Sequence, residues 1–257
     1  MNAELLKWQM QWDKDCIKQY IQDNHQTKDN PKTLSRPFAY GVSEEYVAAN
    51  FKLMVIGQEA AGFSLYNDPT AWDLPRTQQW VVDYTRRQLY GIRAGDAQNN
   101  RANCSPFWNF MRNFNKQGLT PSWNNVDKVY QKENSEKKRK REKVIRLTDQ
   151  QRTTFNEAVC GDQTLLQREI EISKPDGIVF VTGPEYRISM ETALGLSENM
   201  LMDKVPAPDR ILTDISIEAN LGIPCVWTYH PRHLCGMHLS LKNCAKEIAK
   251  TIKQNNN

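Results

Sequence analysis

The sequence predicts an α/β protein organised on a mainly parallel sheet of about four strands. Three observations carry this. Residues 51–57 are a short apolar run containing Val55 and Ile56 that closes on Gly57, the pattern of a buried parallel strand that opens onto a loop. Residues 178–183, Ile178-Val179-Phe180-Val181-Thr182-Gly183, repeat it after a helical pattern and the turn Lys174-Pro175-Asp176-Gly177, which together read as a crossover unit. A third run, Pro224-Cys225-Val226-Trp227-Thr228-Tyr229, leads into His230-Pro231-Arg232-His233-Leu234. In such sheets ligands gather beyond the carboxyl ends of the strands.

The elements follow in order. Leu5, Trp8, Trp12, Ile17 and Ile21 recur at helical spacing between polar residues, so residues 4–23 read as an amphipathic helix. Ser43-Glu44-Glu45-Tyr46 reads as a short helix before the first strand. Asn67-Asp68-Pro69 and Leu74-Pro75 mark irregular chain, residues 80–90 a helix, and residues 95–103 a polar loop. Ser105-Pro106 supplies a cap and a first-turn proline for a helix with an aromatic face, Phe107 to Phe114. Residues 121–129 read as a brief strand whose end carries Asn124 and Asn125. A helix over 163–173 turns Leu165, Leu166, Ile170 and Ile172 inward, and a last helix over 240–253 does so with Ala245, Ile248, Ala249 and Ile252.

At 257 residues the chain can bury a full core, and it is read as one domain with an N-terminal helical extension, 1–48, and a basic surface insert, 131–150. Hydrophobic content of 39% and charged content of 25%, with no apolar run near the roughly 18 residues of a membrane span, point away from the membrane class. The opening MNAELLKWQMQWDKDC lacks the apolar core of an export signal, so a cytoplasmic location is expected. The six cysteines, at 16, 104, 160, 225, 235 and 244, form no CxxC pair, so neither a disulfide framework nor a metal cluster is signalled and no cofactor is expected. Net charge is +4. Residues 132–146 hold eight Lys/Arg against three Glu, or +5, which leaves about −1 for the rest. The basic run, too polar to pack, reads as a solvated loop or a phosphate contact.

Gln58 and Glu59 after the first strand, His230 after the last and Asn125 between them would bring a carboxylate, an imidazole and a carboxamide to one sheet edge. These are an acid/base pair and a reader of hydrogen-bond edges. Asn124 competes with Asn125 for the reading role, and Phe107 serves as readily in the core as on a ligand.

The succession Gly57-Gln58-Glu59, Pro106-Phe107, Asn125 with Lys128, Lys174-Pro175 before the 178–183 strand, and His230-Pro231 resembles the uracil-DNA glycosylase superfamily over residues 50–240. The resemblance implies a three-layer α/β/α sandwich and hydrolysis of a base–sugar bond in DNA, with Glu59 positioning water and balancing the cationic sugar. It further implies that His230 donates to the base oxygen, that Phe107 stacks on the base, that Asn125 reads it beside Gln58, and that Leu234 is a wedge replacing the flipped base. Arg232 and the segment Lys138-Arg139-Lys140-Arg141 would meet phosphates. Glu59 stands where the family has Asp, Ala60-Ala61 where it has Pro and an aromatic residue, and Arg232 where it has Ser, so the base can be one other than uracil. The partner implied is DNA, single-stranded or carrying a modified base, with the protein a monomer. A nucleic-acid binder without catalysis, or an enzyme of free nucleosides or nucleotides, are the alternatives.

Overall fold

The structure, a computed structural model, describes residues 1–24, 32–59, 73–91, 105–133, 143–145, 147–157, 159–160 and 162–256. The chain opens with α1 (Asn2–Trp12), a π-helical turn (Asp13–Lys18) and α2 (Gln19–Asp23), followed by β1 (Lys32–Leu34), α3 (Glu44–Val47) and β2 (Lys52–Glu59). Then come α4 (Leu74–Tyr90), α5 (Pro106–Lys116), β3 (Thr120–Asp127), β4 (Gln131–Glu133), β5 (Lys143–Ile145), α6 (Asp149–Asn156), β6 (Val159–Cys160), β7 (Gln163–Thr164) and α7 (Leu165–Ser173). The last part holds β8 (Gly177–Phe180), α8 (Arg187–Ala193), β9 (Leu212–Asp214), α9 (Ser216–Ala219), β10 (Cys225–Thr228), α10 (Pro231–Gly236) and α11 (Leu241–Asn255).

The main sheet has the order β3-β2-β8-β10-β9. The first four strands are parallel, and β9 joins β10 antiparallel. The sheet therefore has five strands, not four, because the short edge strand Leu212–Asp214 has too few apolar residues to stand out in sequence. Side chains alternate across the pleat. Leu53 and Val55 join Trp108, Phe110, Phe114, Leu234 and Ile248 in one core, while Met54 and Ile56 join Leu5, Tyr40, Leu166, Ile170 and Met190 in another.

Local chemistry sets the boundaries. The Asp73 carboxylate accepts from the Arg76 amide at 2.9 Å and caps α4, with Pro75 in its first turn. The helix therefore starts six residues before Trp80, and Leu74-Pro75 is helical rather than irregular. Ser105 caps α5, and Thr148 with Gln151 and Thr164 with Gln167 form capping boxes at α6 and α7.

Two expectations change. Residues 1–48 are more than a helical appendage, since Leu5, Phe38, Tyr40 and Tyr46 are fully buried in the core beside the sheet. The insert is also shorter than 131–150, because β4 pairs with β1 and β5 in a small antiparallel sheet and α6 begins at Asp149. Residues 95–103 and 134–142 lie outside the described residues. No helix among the described residues is long and apolar enough to cross a membrane.

A buried polar cluster joins these parts. Lys128 Nζ donates to Glu169 Oε2 at 2.6 Å and to Asn124 Oδ1, and Asn124 Nδ2 donates to the same carboxylate oxygen at 2.9 Å. Gln9 Nε2 donates to Glu169 Oε1 at 2.8 Å and to the Tyr40 carbonyl at 3.0 Å. The carbonyl also accepts from Gln78 on α4. Burial pulls the Lys128 ammonium below its ordinary range, and Glu169 opposes that shift. Breaking a buried pair from one side strands the other charge. Lys128→Met is accordingly expected to lower unfolding free energy by about 3–5 kcal/mol in urea titrations, and Lys128→Met/Glu169→Met to recover much of that loss. A double variant no more stable than the single one would show that packing, not the stranded charge, sets the effect.

Candidate active site

Parallel strands leave the sheet on one side, so the carboxyl ends of β2, β3, β8 and β10 share an edge. Backbone and side-chain bonds stitch it together. The Val181 amide donates to the Ile56 carbonyl at 2.9 Å, the Gly183 amide to the Thr228 carbonyl at 3.2 Å, and Gln58 Nε2 to the Thr182 carbonyl at 2.6 Å. Gln58 is thus fastened to the exit of β8, with one face of its amide committed. Glu59 ends β2, its backbone paired in register with Asp127; its side chain lies outside the described residues.

Gly57 brings β2 and β3 together at this edge. A Cβ there would stand 2.7 Å from Asn125 Oδ1, so only hydrogen leaves room for the amide, while Phe107 Cε2, at 3.8 Å, would be in ordinary contact. Asn124 and Asn125 have opposite fates, as neighbours on a strand must. Asn124 is locked to Lys128 and Glu169. Asn125 Oδ1 accepts from Trp123 Nε1 at 3.2 Å, which orients the amide and leaves Nδ2 as a buried donor with no partner. Of the two amides, Asn125 is the one that keeps an unengaged donor.

Phe107 occupies the second position of α5, half-buried, with its ring nearly parallel to that of His230 (13° between planes, centroids 6.2 Å apart). Trp123 and Trp108 stand behind it. His230 caps α10, its Nδ1 accepting the Arg232 amide at 3.2 Å. A neutral ring in that bond carries its hydrogen on Nε2. Burial lowers the His230 pKa, the Arg232 charge lowers it further, and Glu185 pulls the other way. Protonation would put a second hydrogen on Nδ1, facing the Arg232 N–H, and so break the cap.

Gln58, Phe107, Asn125 and His230 are therefore gathered around Gly57. Arg232 is exposed beside them. Leu234 is not a wedge: it is fully buried against α5 and α11, because the cap at His230 turns the fourth residue of α10 inward. Lys138, Arg139, Lys140 and Arg141 lie outside the described residues. His233 is exposed and stacks on Tyr229, ring centroids 4.6 Å apart. Three participants were missed: Trp123, which orients Asn125; Thr182, which holds Gln58; and Glu185, whose charge reaches His230. The Thr182-Gly183-Pro184-Glu185 stretch follows a predicted strand, and its position alone was the available signal. The arrangement offers two hydrogen-bond donors, Asn125 Nδ2 and His230 Nε2, beside an aromatic plate, a site suited to a flat ligand bearing carbonyl oxygens. Fold and site define an α/β protein with an aromatic and polar cluster at the carboxyl edge of its parallel strands. Comparison with protein-family models, curated proteins and solved structures finds no match.

NMR titration of the His230 ring is expected to give a midpoint below that of a free histidine. Arg232→Gln should raise the midpoint and Glu185→Gln lower it further. An unmoved midpoint in Arg232→Gln would remove the guanidinium from the account.

Proposed function

We propose that this protein is a DNA glycosylase of the uracil-DNA glycosylase type, built as a three-layer α/β/α sandwich, which hydrolyses the bond between deoxyribose and uracil or another damaged base held outside the stack. The observation that carries the reading is the unpartnered Nδ2 donor of Asn125 beside the neutral His230 ring and Phe107, at the edge where Glu59 ends its strand. Further support comes from the order of the parallel strands, β3-β2-β8-β10, which sets the predicted motifs side by side.

In this reading the base stacks on Phe107 and a base carbonyl meets Asn125 Nδ2, so a base presenting an amino group there is rejected for lack of an acceptor. As the bond to the sugar lengthens, negative charge gathers on the base and His230 Nε2–H stabilises it. Positive charge gathers on the sugar, where Glu59 offsets it and orients the attacking water. Burial of His230 strengthens its donation to a developing anion while keeping the ring neutral. The departing base takes a proton from solvent after release, and water supplies the hydroxyl on the sugar.

The burial of Leu234 favours single-stranded DNA as substrate, because a duplex needs a side chain to fill the vacated stack and a loose strand does not. The same observation favours a second reading, an N-glycosidase of free nucleotides.

Base release is best measured on end-labelled oligonucleotides carrying uracil, other deaminated bases or modified pyrimidines, with alkaline cleavage of abasic products. Release from single strands is expected to exceed release from duplexes. His230→Ala and Glu59→Gln should each lower the rate by about 10²–10³-fold. Gly57→Ala, which pushes the Asn125 amide aside, should also lose on the order of 10²-fold while keeping the fold. If neither DNA form yields abasic sites but deoxyuridine monophosphate is split, the second reading replaces the first. If neither substrate is cleaved, the enzyme proposal falls.

A further inference from the structure

The N-terminal helix has an irregularity that lies outside the glycosylase reading. Its apolar stripe breaks step at Trp12: the next buried apolar residue, Ile17, comes five positions later. An α-helix cannot keep both on one face, and the π-helical turn Asp13–Lys18 absorbs the extra residue. The widened turn also carries Asp13 inward. Its side chain is 2% exposed, and Oδ2 lies 3.0 Å from Lys18 Nζ, while Oδ1 is buried with no hydrogen-bond partner. Desolvation raises the Asp13 carboxyl above its ordinary range, against the pull of Lys18.

Asp13 lines a cavity of about 770 Å³ between this helix and the start of α4, within the range of small-molecule sites. Leu6, Leu74 and Pro75 give it apolar wall, and Lys7 and Lys14 add positive charge. Its other carboxylate, Asp73, is engaged by the Arg76 amide as the cap of α4. A buried acceptor without a partner calls for an N–H or O–H donor, the apolar wall for a flat apolar face, and the lysines for an anion.

We infer that this cavity binds a nucleoside monophosphate, with a base N–H donated to Asp13 Oδ1, the base face against Leu74 and Pro75, and the phosphate met by Lys7 and Lys14. A mononucleotide unites the three requirements in one small molecule. The cavity lies apart from the sheet edge: Leu5, on the same helix, packs in one core, and Phe107 borders the other.

Equilibrium dialysis of the full chain against labelled AMP, GMP, CMP and UMP, with ribose 5-phosphate as the probe lacking a base, tests this. Saturable binding of at least one nucleotide at one site per chain is expected, with ribose 5-phosphate at least tenfold weaker. Asp13→Asn, of the same size, and Lys14→Glu, at an exposed position, should each weaken binding about tenfold, since each removes a charge-assisted bond. His230→Ala should leave it unchanged. Circular dichroism confirms that each variant is folded. The inference is overturned if no nucleotide binds at millimolar concentration, if ribose 5-phosphate binds equally well, or if Lys14→Glu leaves binding intact. It is also overturned if His230→Ala abolishes binding, which would assign the nucleotide to the sheet edge and leave the glycosylase reading standing.

Discussion

The ion pair between Lys128 and Glu169, closed by Asn124, is the contact on which the placement of the site depends. Strand β3 lies at the edge of the main sheet and is polar for a buried strand, with Ser122, Asn124, Asn125 and Asp127 all nearly inaccessible. Such a strand is not held by apolar burial alone. Asn124 and Lys128 tie one side of it to α7 and, through Gln9, to α1. At its end Asp127 accepts from Asn156 Nδ2 at 2.9 Å and lies 3.5 Å from Arg152. These bonds fix the register of β3, and because a strand reverses face at every residue, fixing Asn124 toward Glu169 fixes Asn125 on the other face, beside Gly57. A slip of one position would exchange the two amides. An ion pair of this kind does little for stability beyond an apolar replacement, so its value here is conformational: it decides which amide is engaged in the cluster and which keeps a free donor.

The strands of the sheet core were legible because each is a continuous apolar run, as burial on both faces requires. Leu53, Val55, Val179 and Val226 all have zero exposure. Helix starts were legible where a cap and a first-turn proline coincide, as at Ser105-Pro106. The start of α4 was not, because Leu74-Pro75 follows a run of turn residues and its cap, Asp73, looks like part of the loop. The burial of β3 was hidden for a physical reason: its polar residues are compatible with burial only through partners, Glu169, Asn156 and Gln9, that lie far away in sequence. The same distance hid the integration of residues 34–46 into the core. At the site, the candidates that follow strands were found by position, and the groups that orient them were not. Trp123 looks like one more aromatic residue until its N–H is seen on Asn125. Leu234 looks like a neighbour of the site because sequence order puts it near His230, whereas in α10 it is turned fully into the core.

His230 shows how one backbone bond can set a side chain's chemistry. As the cap of α10 it spends Nδ1 on the Arg232 amide, which selects the tautomer, and its partial burial beside a guanidinium selects the neutral form. Glu185 works against that selection, so the ring sits between two opposite charges and its protonation responds to both. The two devices are separable. The cap fixes where the Nε2 hydrogen points, and the surrounding charges fix over which range of pH the ring stays neutral.

Unpartnered buried atoms occur elsewhere in this structure without implying a ligand, Trp227 Nε1 and Tyr130 Oη among them. Both belong to side chains in the middle of a core cluster, with almost no exposed surface and no cavity described beside them. Each costs roughly 1–3 kcal/mol of desolvation, offset by the apolar area that the same ring buries. Asn125 and Asp13 have no such compensation, since neither carries an apolar ring. Asn125 stands against a glycine whose missing Cβ makes room for it, and Asp13 stands in a helical turn widened around it. In both places the backbone has been adjusted to hold a polar atom where the interior gives it no partner. At Asp13 an unmet hydrogen bond, a cavity and a local backbone accommodation coincide, and at Asn125 the unmet bond and the accommodation do.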